Sequence, residues 1–386
     1  MPRSKKGRRA PGEGSVFQRK DGRWVMQIWT GSAYKQKYVK SQKEGFEKLR
    51  QAQRELEQGI LPTQPDQMLE QYLEYWIEEV HKPTIKLSSY VKYRKLIRLY
   101  ILPELGKIKL QKLTPQHINS LYRKMEKRGL KPKTINSVHG LLHKALDNAV
   151  KWGYMARNVC DSVSPPRLVK TEIQPLTMEQ AHKLLEAVRG HRLETLLTLA
   201  LTTGMRRGEL LALRWSDVDL EQGSIHVRHT VDHIPRYGYV ETEPKTKKAQ
   251  RLIMLPSFVV DALKQHRIEQ QEQRLKAGDN WQDLNLVFTG LHGNYLNPRY
   301  LPKMFSKVLM EAGLPHIRFH DLRHSAATIL LSMGVQLKVV QEILGHSTIV
   351  MTADIYSHVL PSIQKEAMEK WEQQFRPNDR DVPDEG

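Results

Sequence analysis

Two proline-bearing breaks, one at Pro62 and Pro65 and one at Pro165-Pro166, cut this chain into stretches whose hydrophobic periods differ. Proline fixes its own φ, lacks an N–H and disfavours helix in the residue before it, so neither break lies inside a continuous helix. At 386 residues the chain is also too long for one ordinary core, so a multidomain protein is expected. The breaks and the period changes give domains at 1–62, 63–164 and 174–376, a linker at 165–173, and a flexible acidic tail at 377–386.

Ahead of the first break, Ser15 to Lys20, Arg23 to Thr30 and Lys35 to Val39 alternate as strands do, and Asp21-Gly22 is a hairpin signal. A charged helix from Gln42 to Gln58 comes next, stopped by Gly59. Beyond the break the period becomes helical, with Leu69, Tyr72, Leu73 and Trp76 on one apolar face. Thr114-Pro115 is an N-cap with proline at the first helical position, Gly129 ends that helix, and Thr134 is read as the cap of a helix running to Lys151. This stretch is an all-α bundle whose polar faces carry Lys86, Lys92, Arg94, Lys95, Arg98, Lys131 and Lys133. After the second break, Thr177 and Gln180 form a capping box, and a further helix covers Leu193 to Thr202. Ser224 to His229 and Arg251 to Leu255 read as strands with a basic stretch between them, and the rest to Phe375 is mainly helical. No internal repeat is present.

Charge selects the class of partner. There are 61 Lys+Arg against 42 Asp+Glu, a net +19, and residues 1–60 alone hold 15 against 6. A surface this basic attracts polyanions, so nucleic acid is expected. There is no run of 18 apolar residues, and the opening MPRSKKGRR has no apolar signal core, so a soluble cytoplasmic protein with no membrane contact is predicted. The single Cys160 excludes an internal disulfide and a thiolate zinc site, and reads as a small buried apolar residue.

Three segments can carry chemistry. Thr203-Gly204-Met205-Arg206-Arg207-Gly208-Glu209-Leu210 joins two apolar helices through glycines, and an arginine held at such a junction can present its planar fork to a phosphate. His320-Asp321-Leu322-Arg323-His324 opens an apolar helix, with His320 and Arg323 at i, i+3 on one face. Leu344-Gly345-His346-Ser347 comes after a helix over Leu337 to Ile343, and Tyr356 lies ten residues after His346. Two histidine groups are read as non-metal. His226, His229 and His233 alternate faces on strands, and the run His316, His320, His324 is interrupted because Pro315 and Arg318 delay the helix start. There is no GxxxxGK[ST] phosphate loop, and no metal or other cofactor is expected.

Taken in order, these segments resemble the tyrosine recombinase (phage integrase) family, whose R…K…HxxR…[HW]…Y set they match from about Gln174 to Gln374. The resemblance implies Arg206 as the first arginine, His320 and Arg323 as the HxxR pair, His346 as the fifth position and Tyr356 as the nucleophile, with Glu209 as structural support. The family's lysine falls in a loop before a strand, where Lys245 is the choice and Lys247 the substitute. The implied fold is a small β-sheet plus helix arm-binding domain, a SAM-like all-α core-binding domain, and a mainly α catalytic domain with a small β-sheet. The implied activity is site-specific cleavage and rejoining of DNA to integrate and excise a mobile element of phage or conjugative-transposon type. A homotetramer would act on double-stranded core and arm sites, with an excisionase or host DNA-bending protein as further partner. Ser362 to Phe375 would form a helix that docks on a neighbour. Arg19, Lys20, Arg23, Lys35, Lys37, Lys92, Lys131, Lys133, Arg207 and Lys247 are the expected DNA contacts. The alternatives are type IB topoisomerase-like relaxation and a DNA-binding regulator without catalysis.

Overall fold

A computed structural model describes residues 14–29, 34–57, 67–168, 174–242 and 250–345, and near the C-terminus 365, 368–369, 371–372 and 374–375. It divides into two compact units, Met1–Lys170 and Thr171–Gly386.

In the first unit, β1 (Gly14–Gln18), β2 (Trp24–Trp29) and β3 (Tyr34–Val39) form an antiparallel meander backed by α1 (Gln42–Glu57). Gly22, at φ 82°, makes the turn that the Asp-Gly pair announces. Among the described residues, Met26, Ile28, Val39, Leu49 and Ala52 form a small core, with Val16 and Trp24 packed against it.

The helical part of this unit runs through α2 (Leu69–Tyr75), α3 (Leu87–Leu96), the single turn α4 (Leu102–Leu105), α5 (Pro115–Lys127) and α6 (Pro132–Lys151). Leu69, Tyr72, Leu73 and Trp76 are all buried on one face, as their spacing dictates. Thr114 caps α5 through the His117 amide. Thr134 does not cap α6. That helix starts three residues earlier than a Thr134 cap would set, with Pro132 at its first position and Lys131 as the non-helical residue before it, because proline is tolerated where the N–H has no intrahelical partner. Cys160 is buried in this core, and burial pushes its thiol up to about 12.

The second unit holds α7 (Met178–Ala187), α8 (Glu194–Thr203), α9 (Arg207–Leu211), β4 (Val218–Asp219), β5 (Ser224–Val227), β6 (Thr230–Ile234), β7 (Gly238–Thr242), β8 (Arg251–Met254), α10 (Ser257–Ala277), α11 (Tyr300–Glu311), α12 (Asp321–Ser332) and α13 (Leu337–Leu344). The sheet order is β4-β5-β8, antiparallel throughout, and β6-β7 is a separate hairpin. That hairpin occupies most of what the sequence presents as a basic stretch. The apolar helix α8 sits in the centre of the core, with Leu196, Leu197, Leu199 and Ala200 almost fully buried, and α12 packs across it. The consequence is that the C-terminal end of α8 delivers the turn Gly204–Arg206 to the first residues of α12.

No helix among the described residues is long and apolar enough to cross a membrane.

Candidate active site

Gly204 ends α8 in the left-handed conformation, φ 60°, and a side chain there would overlap the Leu344 methyl and crowd Ala326. Glycine takes this left-handed turn without strain, beside the Leu344 side chain of α13 and Ala326 of α12. The chain then turns so that Arg206, still extended, precedes α9 and its guanidinium stands at the convergence of the three helices.

Glu209 holds two of the pocket's arginines in place. Its Oε1 accepts from Arg206 Nη1 at 2.7 Å, and its Oε2 accepts from the Arg206 amide at 3.0 Å and from Arg251 Nη2 at 3.0 Å. The carboxylate is 3% exposed; burial alone would raise its pKa, but Arg251 and then Arg206 pull it below the usual carboxylate value. Arg206 Nη2 also donates to the carbonyl of Gly345 at 3.3 Å.

Arg323 comes from the first turn of α12 and is 4% exposed. Its Nη1 donates to the Gly204 carbonyl at 2.8 Å, and its buried Nη2 has no hydrogen-bond partner among the described residues. No carboxylate bonds to it there. Burial, then the positive charges of Arg206 and Arg251, lowers its pKa to about 9, against the pull of Glu209. Three guanidinium groups thus stand around one carboxylate that bonds only two of them, which leaves these four side chains with two excess positive charges and one unfilled donor. An anion with several oxygens satisfies both deficits.

His320 immediately precedes α12, whose start Asp321 fixes by accepting from the Arg318 amide at 2.8 Å and from its guanidinium at 2.8 and 3.0 Å. The His320 ring stands edge-on to that of His324, centroids 5.7 Å apart. His320 opens to solvent on one side, yet the protein packed behind it, the His324 ring and the Arg323 charge hold its pKa below the ordinary histidine value. It is therefore a neutral imidazole at pH 7, able to accept a proton. His316 falls outside the helix, so the three-histidine alignment is not formed.

The structure brings Arg206, Glu209, His320 and Arg323 into one region. Lys245, Lys247, His346 and Tyr356 lie outside the described residues. Arg251 is the buried member that sequence reasoning missed. Its inward side on β8, shared with Ile253 while Leu252 and Met254 are exposed, shows only in the folded strand, and an arginine there calls for a buried acid.

Of the other expected contacts, Lys20, Lys37, Lys92, Lys131, Lys133 and Arg207 are exposed. Arg19 donates to Tyr38 Oη at 2.8 Å and to Gln36 at 3.0 Å, and Arg23 pairs with Asp21 at 2.7 Å. The Lys35 side chain is outside the described residues. His226, His229 and His233 do not form a metal-ligand group. The one such group among the described residues is His143 with Asp147 and Asp161, where the ring sits between two carboxylates at 3.2 and 2.8 Å.

Residues 174–362 match the model of the Phage integrase family, and residues 68–126 match that of the Phage integrase, N-terminal SAM-like domain. A protein named "Tyrosine recombinase XerC-like" from Caldanaerobacter subterraneus subsp. tengcongensis is 35% identical over 353 residues, covering 87% of this chain and 90% of its own length. The ICEBs1 integrase of Bacillus subtilis is 28% identical, covering 74% of this chain and 77% of its own. Among solved structures, the Tn1549 transposon integrase in complex with transposon right end DNA aligns with TM-score 0.67 at 23% identity, covering 78% of this chain and 99% of that one. A lambda integrase dimer bound to a core site, residues 75–356, aligns at 0.56 and 19%, covering 75% and 95%, so both share this fold. With a relative named a tyrosine recombinase at 35% identity over most of both chains, and the family model matched across residues 174–362, the chain belongs to the phage integrase family of tyrosine recombinases.

Proposed function

We propose that this chain is a site-specific recombinase that integrates and excises a mobile element, using Tyr356 as nucleophile on a pocket built from Arg206, His320, Arg323, His346 and Lys245. The observation that carries the reading is the unfilled donor of Arg323 in a pocket with excess positive charge. A DNA phosphodiester supplies the anionic oxygens that such a pocket lacks. As the Tyr356 oxygen attacks phosphorus, negative charge grows on the non-bridging oxygens, and in this reading Arg206 and Arg323 hold it. A phenol with pKa near 10 is a weak nucleophile at neutral pH, so His320 takes its proton. Lys245, or Lys247 in its place, gives a proton to the departing 5′ oxygen, and His346 donates to a phosphoryl oxygen. The product is a 3′-phosphotyrosyl link and a free 5′-hydroxyl. A 5′-hydroxyl from a second duplex reverses the same attack, so rejoining needs no nucleotide hydrolysis.

The two-duplex chemistry calls for four copies on DNA, with double-stranded core sites bound by residues 63–376 and arm sites by residues 1–62. An excisionase or a host DNA-bending protein is the proposed partner that sets direction. The exposed Lys20, Lys37, Lys92, Lys131, Lys133 and Arg207 are proposed backbone contacts. A duplex selected from a random pool by the purified full chain, then nicked beside the scissile phosphate, tests the reading. Cleavage frees a short fragment that diffuses away, so the wild type should accumulate a covalent complex. Tyr356→Phe should yield none; an equal yield from the Phe variant overturns the assignment.

A further inference from the structure

Helix α13 ends at Leu344, and its last carbonyls carry the negative end of the helix dipole without intrahelical partners. Two carbonyls at this end are met by side chains from elsewhere. Arg251 Nε donates to the Ile343 carbonyl at 2.6 Å, and Arg206 Nη2 donates to that of Gly345. Gly345 closes the helix at φ 66°, and a Cβ there would stand 3.0 Å from Arg251 Cδ and 3.1 Å from Nη1, so the turn rests directly on the guanidinium. Nη2 of the same guanidinium donates to Glu209, which in turn accepts from Arg206. The Arg251 side chain is 6% exposed and that of Glu209 2%. His346 is the next residue after Gly345.

We propose that Arg251 is a positioning residue that ties the turn at Gly345, the residue before His346, to the Arg206–Glu209 pair, so that Arg206 and this turn are held through one buried carboxylate. This rests on the recombinase reading for its catalytic consequence. Arg251 donates to the Ile343 carbonyl of α13 and to Glu209. It acts by setting geometry, and a displacement of about 1 Å in such a group is enough to cost a hundredfold in rate.

The test uses the full chain, the nicked duplex and single-turnover cleavage. Arg251→Met should slow covalent-complex formation by about 100-fold while the Kd for DNA stays within about threefold, since distant phosphate contacts are independent of it. Arg251→Lys keeps the charge beside Glu209 but cannot hold carboxylate and carbonyl in one planar fork, so it should restore the melting temperature and not the rate. If Lys restores both, Arg251 is merely a fold-stabilising ion pair and the proposal is wrong. In a His346→Ala background, adding Arg251→Met should cost less than about threefold; a further hundredfold loss contradicts the link to His346. Amide hydrogen exchange separates the positioning role from the recombinase reading. If the wild type gives no Tyr356-dependent complex, that reading fails, yet Arg251→Met must still speed exchange of the Gly345 amide, and unchanged exchange overturns the positioning role.

Discussion

Glu209 is shared by two guanidinium groups and lies 3% exposed, so its loss is felt through its partners. Glu209→Gln leaves two arginines with half a partner, and breaking a buried pair on one side typically costs roughly 3 to 5 kcal/mol; thermal unfolding should show a drop of that order. Arg323 behaves in the opposite way. It is a buried cation with no acid bonded to it among the described residues, so Arg323→Met should melt at the same or a higher temperature while cleavage slows by roughly a hundred- to a thousandfold. A large loss of stability would mean that the charge is already satisfied in the free protein. Arg206→Ala and Arg323→Ala should each cost roughly 2.7 to 4 kcal/mol of transition-state stabilisation, by analogy with one donor to a developing oxyanion. His320 predicts a pH dependence. Its folded pKa lies below 6.5, so the proton-accepting form is present above that value and is lost as pH falls through the lower one. The cleavage rate should therefore hold at pH 6.5 and fall in more acid solution, and His320→Asn should remove that acidic limb. A limb centred above pH 7 contradicts the base assignment.

Secondary-structure elements bring these residues together, and here the sequence was legible where local chemistry decides and silent where packing does. The Asp21-Gly22 turn, the Thr114 and Thr177 caps and the apolar run of α8 could be read from residue type and spacing. The β6-β7 hairpin could not. Val231 and Ile234 are buried while Asp232 and His233 between them are exposed, so the strand lacks a period of two, and its turn runs through Arg236 at φ 73°, a residue with no turn preference. Arg206, Glu209, His320 and Arg323 were legible through motif order, whereas Arg251 became visible only once β8 was seen to lie under α13. Gly204 tests the convergence. Gly204→Ala forces a left-handed alanine onto Leu344 and should cost about 1 to 3 kcal/mol in chemical denaturation, with a matching loss of cleavage. Full stability in that variant would show that α8, α12 and α13 do not need this approach.

For the molecule as a whole, the net +19 divides unevenly, with residues 1–60 carrying 15 basic groups against 6 acidic beside a core that is small among the described residues. A unit with so little interior and so much charge is suited to a nucleic-acid surface. Reversing Lys20 and Lys37 to glutamate should weaken binding to accessory DNA and flatten its salt dependence, while cleavage of a short core duplex is spared; equal loss of both contradicts the division of labour. The central claim, however, is a covalent bond at one atom. The most direct measurement is to trap the protein on the nicked duplex, trim the DNA with nuclease, digest the protein and read the modified peptide by mass spectrometry. A nucleotide attached through its 3′ phosphate to Tyr356 is the predicted result. A nucleotide on any other residue, or one joined through a 5′ phosphate, contradicts the assignment of Tyr356 as nucleophile.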